Sequence, residues 1–195
     1  MGDEASYEST FVDVLLDDVV QLHSMNLGSG VIRRALIRSI MAAIEGILWN
    51  LQRTMLRTAE NQMSEFEAAV LREVSYYVTD TGEVRNGVAK IPLKSRVRFG
   101  ANLLARIHPE ARIDFTAREW KKLLDSIDVR DRLTHPKSQS KLEVTTDEVN
   151  SAIEGLTWFL VVVSGTWQDA LTAYLKTPDG RMLAMLQALR KPNPG

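Results

Sequence analysis

The chain has 195 residues, 45% hydrophobic and 25% charged, with a formal net charge of -1 and a pI near 6.3. This is ordinary globular usage with enough apolar material for a core, and it excludes a globally basic nucleic-acid binder, so any polyanion must be held by a local patch. The absence of cysteine excludes disulfides, thiolate nucleophiles and thiolate metal sites, and suits a reducing cytoplasm.

One domain over 1–195 is expected, with its core over about 30–175. The start, "MGDEASYES", lacks the basic and apolar regions of a signal peptide. The longest uncharged run, "GLTWFLVVVSGTWQ", is short of the ~20 apolar residues of a membrane span, so no membrane association is predicted and a cytoplasmic location is expected.

Phe11, Val12, Leu15, Leu16, Val19 and Leu22 recur at helical spacing and predict an amphipathic helix over 6–25, stopped by "NLGSG". A long helix is predicted from about Val31, with Ile37, Ile40, Ile44, Ile47, Leu51 and Met55 as its apolar stripe. Arg33, Arg34 and Arg38 crowd its start, the wrong end for the helix dipole. A shorter helix over about 63–77 follows. The segment 76–92 then reads as a small β-hairpin or extended loop, with "TG" and "NG" as turn pairs between β-formers.

Helical pattern resumes from Leu93 to Ile107. Thr116 reads as the N-cap of the next helix, with Glu119 at capping-box distance, and Pro136 ends it. Thr146 reads as the N-cap of a long helix to about Leu175, apolar nearly all round in its middle, as befits the centre of a bundle or a subunit interface. An amphipathic helix over 178–190 completes the chain. Trp49, Trp120, Trp158 and Trp167 fall in apolar helical patterns and read as core or interface.

The chemistry-bearing stretch is "DSIDVRDRLTHPKS" at 125–138. Five residues apart, Arg130 and His135 would diverge by about 140° on an unbroken helix. Pro136 pushes His135 out of the α region, which frees its ring to turn back toward the Arg130 side. Asp131, one turn from His135, is positioned to hold the imidazole through its carboxylate.

A guanidinium, an imidazole and an orienting carboxylate suit phosphodiester cleavage without a metal: imidazole moves protons, and a permanently charged planar cation stabilises the phosphorane oxygens. Residues 112–141 carry eight basic against five acidic side chains, a local surplus of three. The structural alternative is cations complementing a helix C-terminus, with Arg132 paired to Asp128 one turn back. Arg38 and Glu45 share one side of the long helix. The Glu45 carboxylate could hold Arg130 or His135 from that facing helix, or simply join a local ion pair.

"VRDRLTHPK" resembles the signature of the HEPN superfamily, an Arg followed by a polar residue, a short gap and a His, just before the last long helix of a bundle. "RRALIRSIMAAIEG" is similar to the long second helix of such proteins, with Glu45 as its acidic residue, and "EWKKLLDSIDVRDRLTHPKS" with "EVTTDEVNSAIEGLTWF" is similar to their distal half. The resemblance implies an all-α, HEPN-like antiparallel helical bundle and a metal-independent endoribonuclease, of the kind found among toxins and antiviral defence effectors. It implies Arg130, His135 and Asp131 as catalytic residues, with a site assembled from two protomers of a homodimer.

Arg132, Lys137, Arg38 and Glu45 are the associated substrate-binding candidates. RNA is the expected partner, alongside any regulatory protein, and no cofactor or metal is expected. Asp131 stands where Asn is commoner. Lys137 replaces the Tyr of the branch silenced by a partner nucleotidyltransferase, so AMPylation is not expected. The alternative from another class is a noncatalytic RNA- or nucleotide-binding or protein-interaction module.

Overall fold

The computed structural model describes residues 2–176, so the segment predicted as a helix over 178–190 lies outside the described residues. The protein is mostly helical with one small antiparallel hairpin. In chain order the elements are α1 (Gly2–Ser24), α2 (Gly30–Ala59), α3 (Glu65–Leu71), β1 (Val74–Val78), β2 (Val84–Val88), α4 (Leu93–Ile107), α5 (Arg118–Thr134), α6 (Thr146–Trp158), a π-helical segment (Phe159–Ser164) and α7 (Gly165–Lys176). The described residues form two compact units, 2–48 with 113–165 and 49–112 with 166–176.

The first unit holds α1, the start of α2, α5 and α6. Its core takes Ile37, Ile40 and Ile44 from the predicted stripe of α2, with Leu36 and Leu48 beside them, all fully buried, and Leu123, Ile127 and Leu133 from α5. Small residues let backbones approach closely. A Cβ on Gly46 would fall 2.5 Å from Leu15 Cδ1, and one on Gly155 would fall 2.9 Å from Leu123 Cα. Phe115, Trp120 and Trp158 form an aromatic cluster with centroids 4.9–6.1 Å apart, Phe115 edge-to-face with both tryptophans and the two tryptophans tilted against each other.

Caps on both long helices of this unit differ from expectation by one residue. Thr116 does not cap α5: its backbone N–H and its hydroxyl both donate to Asp114 (2.8 and 2.7 Å), a local turn that leaves Ala117 as N-cap. The Asp114 carboxyl is held below its usual value of 3.8, chiefly by the Thr116 N–H. The cap of α6 is Thr145 rather than Thr146, in a full capping box with Glu148.

The second unit holds the rest of α2, α3, the hairpin, α4 and the end of the last helix. Trp167 is buried against Gly100, where a Cβ would lie 2.5 Å from the ring. Trp49, expected in the core or at an interface, is 39% exposed, with the Arg53 guanidinium 4.8 Å from its ring centroid. Arg96 is nearly buried and meets Gln52 Oε1 at 3.0 Å and Glu73 Oε1 at 2.6 Å. Glu73 takes the left-handed φ of 55° where α3 gives way to β1.

The helix predicted over 63–77 stops at Leu71, and the hairpin runs from 74 to 88 rather than 76 to 92. Its turn is at "TG", with Gly82 at φ 80°. "NG" is no turn: Gly87 pairs with Ser75 inside the ladder, and the Tyr77 ring lies across the space a Cβ there would enter.

Ser64 caps α3 through a capping box with Glu67, which also meets Arg106 at 2.9 Å. The Ser64 backbone N–H holds the Glu67 carboxyl below its usual 4.5, helped by the Ser64 hydroxyl and Arg106 and opposed by burial. The folded protein therefore binds this proton more weakly than the unfolded chain. The contribution is complete above the unfolded value and lost as pH falls through the folded one. Urea unfolding of wild type and Glu67→Gln is expected to show a stability gap at neutral pH that narrows below about pH 4.5. A gap that does not change with pH contradicts this.

The stretch Thr146–Ala173 is long and apolar enough, by length and composition alone, to cross a membrane, where the sequence had suggested no such segment. Within the protein 44% of its most apolar window is buried, Phe159 and Val163 completely. The π-helical turn at 159–164 shifts which side chains face inward.

Candidate active site at the end of α5

α5 ends because Pro136 cannot continue it. Thr134 is the last helical residue, and His135 takes φ -126° and ψ 62°, outside the α region as the proline requires. The last carbonyls of a helix lack intrahelical partners, and two of those of α5 are taken up here: His135 N–H donates to Asp131 O at 3.1 Å, and Arg38 Nη2 of α2 donates to Leu133 O at 3.2 Å. One residue earlier, Thr134 Oγ1 donates to Arg130 O at 2.9 Å.

The arginines crowding the start of α2 thus serve other chain ends. Arg34 Nη1 donates to Leu142 O at 3.3 Å, beyond the His135 loop, and Arg33 Nη1 donates to Leu27 O at 3.3 Å. Their misfit with their own helix dipole was the readable signal, but only the fold names the acceptors. Arg38→Ala is expected to cost about 1 kcal/mol by freeing the Leu133 carbonyl. A thermal melt within error of wild type contradicts that role.

Arg130 is held from two sides. Its Nη2 lies 3.0 Å from Glu45 Oε1 on α2, the facing-helix contact that the spacing of Glu45 allowed. Its Nε lies 3.0 Å from Asp131 Oδ1, without the alignment of a hydrogen bond. Asp131 therefore does not hold the His135 imidazole. The reach of one turn needs an unbroken helix, and His135 has left it, whereas the Arg130 side chain lies alongside. The His135 ring is exposed and makes no hydrogen bond or ion pair among the described residues.

Arg132 pairs with Glu148 at 2.9 Å, not with Asp128, and Glu148 is at the same time the capping-box residue of α6. Arg132 thus fastens the end of α5 to the start of α6. Lys122 pairs with Glu154 in the same way, and neither acidic partner was singled out from sequence. Of the cations in 112–141, those on the α5–α6 seam are consumed in pairs. Lys137 and Lys141 stay exposed on the loop that carries His135.

The site thus brings together Arg130, Glu45 and Asp131, sets Arg38 on the adjoining backbone, and leaves His135 and Lys137 open to solvent. No cluster of three or more His, Asp or Glu side chains suited to a metal ion occurs among the described residues. No protein-family model, curated protein or solved structure matches the chain.

Proposed function

We propose that the protein is a HEPN-type endoribonuclease that cleaves RNA through attack of the 2'-hydroxyl, without a metal ion. The observation that carries this reading is the open His135 imidazole at the broken end of α5, one turn beyond an arginine fixed by Glu45. Imidazole takes the 2'-hydroxyl proton, the 2'-oxygen bonds to phosphorus, and the 5'-oxygen leaves with a proton from an acid. Arg130 faces the charge that gathers on the phosphorane oxygens. One chain offers a single such imidazole, so the acid comes from a second copy in a homodimer. Lys137 supplies charge for the RNA backbone.

The products are a 2',3'-cyclic phosphate and a 5'-hydroxyl. An RNA incubated in EDTA is expected to yield those ends, and the same sequence with 2'-deoxyriboses is expected to stay intact. Equal cleavage of both strands contradicts attack by the 2'-hydroxyl. A second reading, a noncatalytic RNA-binding module, is supported by the two carboxylates that already compensate Arg130. RNA bound but uncut would favour it. A cytoplasmic toxin or antiviral effector is the role that goes with the nuclease. Slow growth of cells expressing wild type but not Arg130→Ala is the expected sign of it.

A further inference from the structure

We infer that Arg34, acting with Arg38, is a positioning residue for His135: the two arginines of α2 clamp the backbone on both sides of the loop that carries the imidazole, and so fix where it stands. For its consequence in catalysis the inference rests on the nuclease reading. The loop has little of its own to hold it. Every residue from Thr134 to Lys141 is exposed, so none of its side chains is packed into the core. Beyond His135 its backbone hydrogen bonds close short turns, Lys141 N–H on Ser138 O and Glu143 N–H on Ser140 O, both at 3.2 Å. A segment with so few buried contacts sits at the low end of local stability.

The chain is held instead where it enters and leaves. Leu133 and Val144, at the two ends, are buried. Arg38 Nη2 donates to Leu133 O at 3.2 Å, and Arg34 Nη1 donates to Leu142 O at 3.3 Å. Leu133 and Leu142 are nine positions apart in the sequence, about 30 Å of extended chain. Their two donors are one turn apart on α2, about 6 Å along its axis. One face of a rigid helix therefore gathers both ends of the loop, as in compact loops whose ends lie close, and His135 and Lys137 are carried between them.

Arginine suits this task. Its charge strengthens a hydrogen bond to a neutral carbonyl, its planar fork keeps a donor in line, and the negative end of the α5 dipole lies at the Leu133 carbonyl. All of these residues belong to one compact unit. The competing role for a cation here is contact with an RNA phosphate, and kinetics tell the two apart: a lost positioning contact lowers kcat, whereas a lost binding contact raises KM.

The test is nitrogen-15 relaxation on the RNA-free full chain, with cleavage kinetics beside it. In wild type the amides of His135 and of 137–141 are expected to be ordered, with order parameters of about 0.85, and in Arg34→Ala to fall below about 0.6. Arg33→Ala removes a matched bond, Nη1 to Leu27 O at 3.3 Å, and is expected to leave the loop ordered, which separates positioning from a general loss of stability. In cleavage, Arg34→Ala is expected to lower kcat about 10-fold at unchanged KM, less than the ~10²-fold of a full ångström's misplacement. Arg34→Lys is expected to recover part of that by donating to the same carbonyl. Loop amides as ordered in Arg34→Ala as in wild type, a wild-type loop already below about 0.6, or a raised KM at unchanged kcat overturns the inference. Ordering that follows Arg34 in a protein that cuts no RNA supports the clamp and sinks the nuclease reading alone.

Discussion

Alanine at His135 is expected to lower RNA cleavage by about 10²–10⁴-fold, the usual contribution of a positioned general acid or base. Alanine at Arg130 is expected to lower it by about 10²–10³-fold, the loss of one charge-stabilising donor. His135 is solvent-exposed and stabilises nothing through its ring, so its variant should fold as wild type does. Arg130→Ala also frees Glu45 and Asp131, and is therefore to be compared at equal helicity.

Mixing wild type with His135→Ala extends the test. If base and acid come from the His135 of the two copies, random exchange in an equal mixture leaves about a quarter of the dimers with both imidazoles, and activity falls to about a quarter of that of wild type alone. A mixture that keeps about half contradicts shared sites.

Gly155→Val is expected to destabilise the first unit by about 3 kcal/mol or more, the upper range for overpacking. Glycine inside a helix costs about 1 kcal/mol relative to alanine, so its presence in α6 has to be offset by something else. That gain is close approach. The first side-chain carbon would fall 2.9 Å from Leu123 Cα and 3.0 Å from its backbone nitrogen. These are backbone atoms of α5 and cannot rotate aside, so α5 and α6 must separate. Separation strains the Arg132–Glu148 and Lys122–Glu154 pairs and uncovers Leu123, which is wholly buried. Gly155→Ala already places that carbon against the Leu123 backbone and is expected to lose about 2 kcal/mol, its gain in helix propensity offsetting part of the strain. Urea unfolding measures both, and a valine variant as stable as wild type contradicts the close approach.

The helices were legible wherever one physical signal dominated. The stripe Ile37, Ile40, Ile44 and Ile47 is buried as its spacing predicts, and α4 runs from Leu93 to Ile107 because Pro92 fixes its start and apolar residues line one side. Choices between near-equal local options were not legible. "TG" and "NG" are both turn pairs, and only the packing of Tyr77 over Gly87 puts the second inside a strand. Thr116 and Thr146 are both good caps by type, but one is drawn off by Asp114 and the other yields to its neighbour Thr145.

The site shows the same division. The break at His135 follows from Pro136 alone, and the Glu45 contact with Arg130 follows from a charge on the inner side of α2. The direction of Asp131 was misread because it depends on which cation lies nearer once the helix has ended. The acceptors of Arg34 and Arg38 are backbone carbonyls remote in sequence, which no residue type announces.

The central claim is that His135 moves a proton in RNA cleavage. Its most direct test is single-turnover cleavage of one end-labelled RNA in EDTA by wild type and His135→Ala, with product ends identified. Wild type is expected to yield 2',3'-cyclic phosphate ends and the variant to yield them at least about 100-fold more slowly. Equal rates for the two proteins, or no cleavage by wild type, would contradict it.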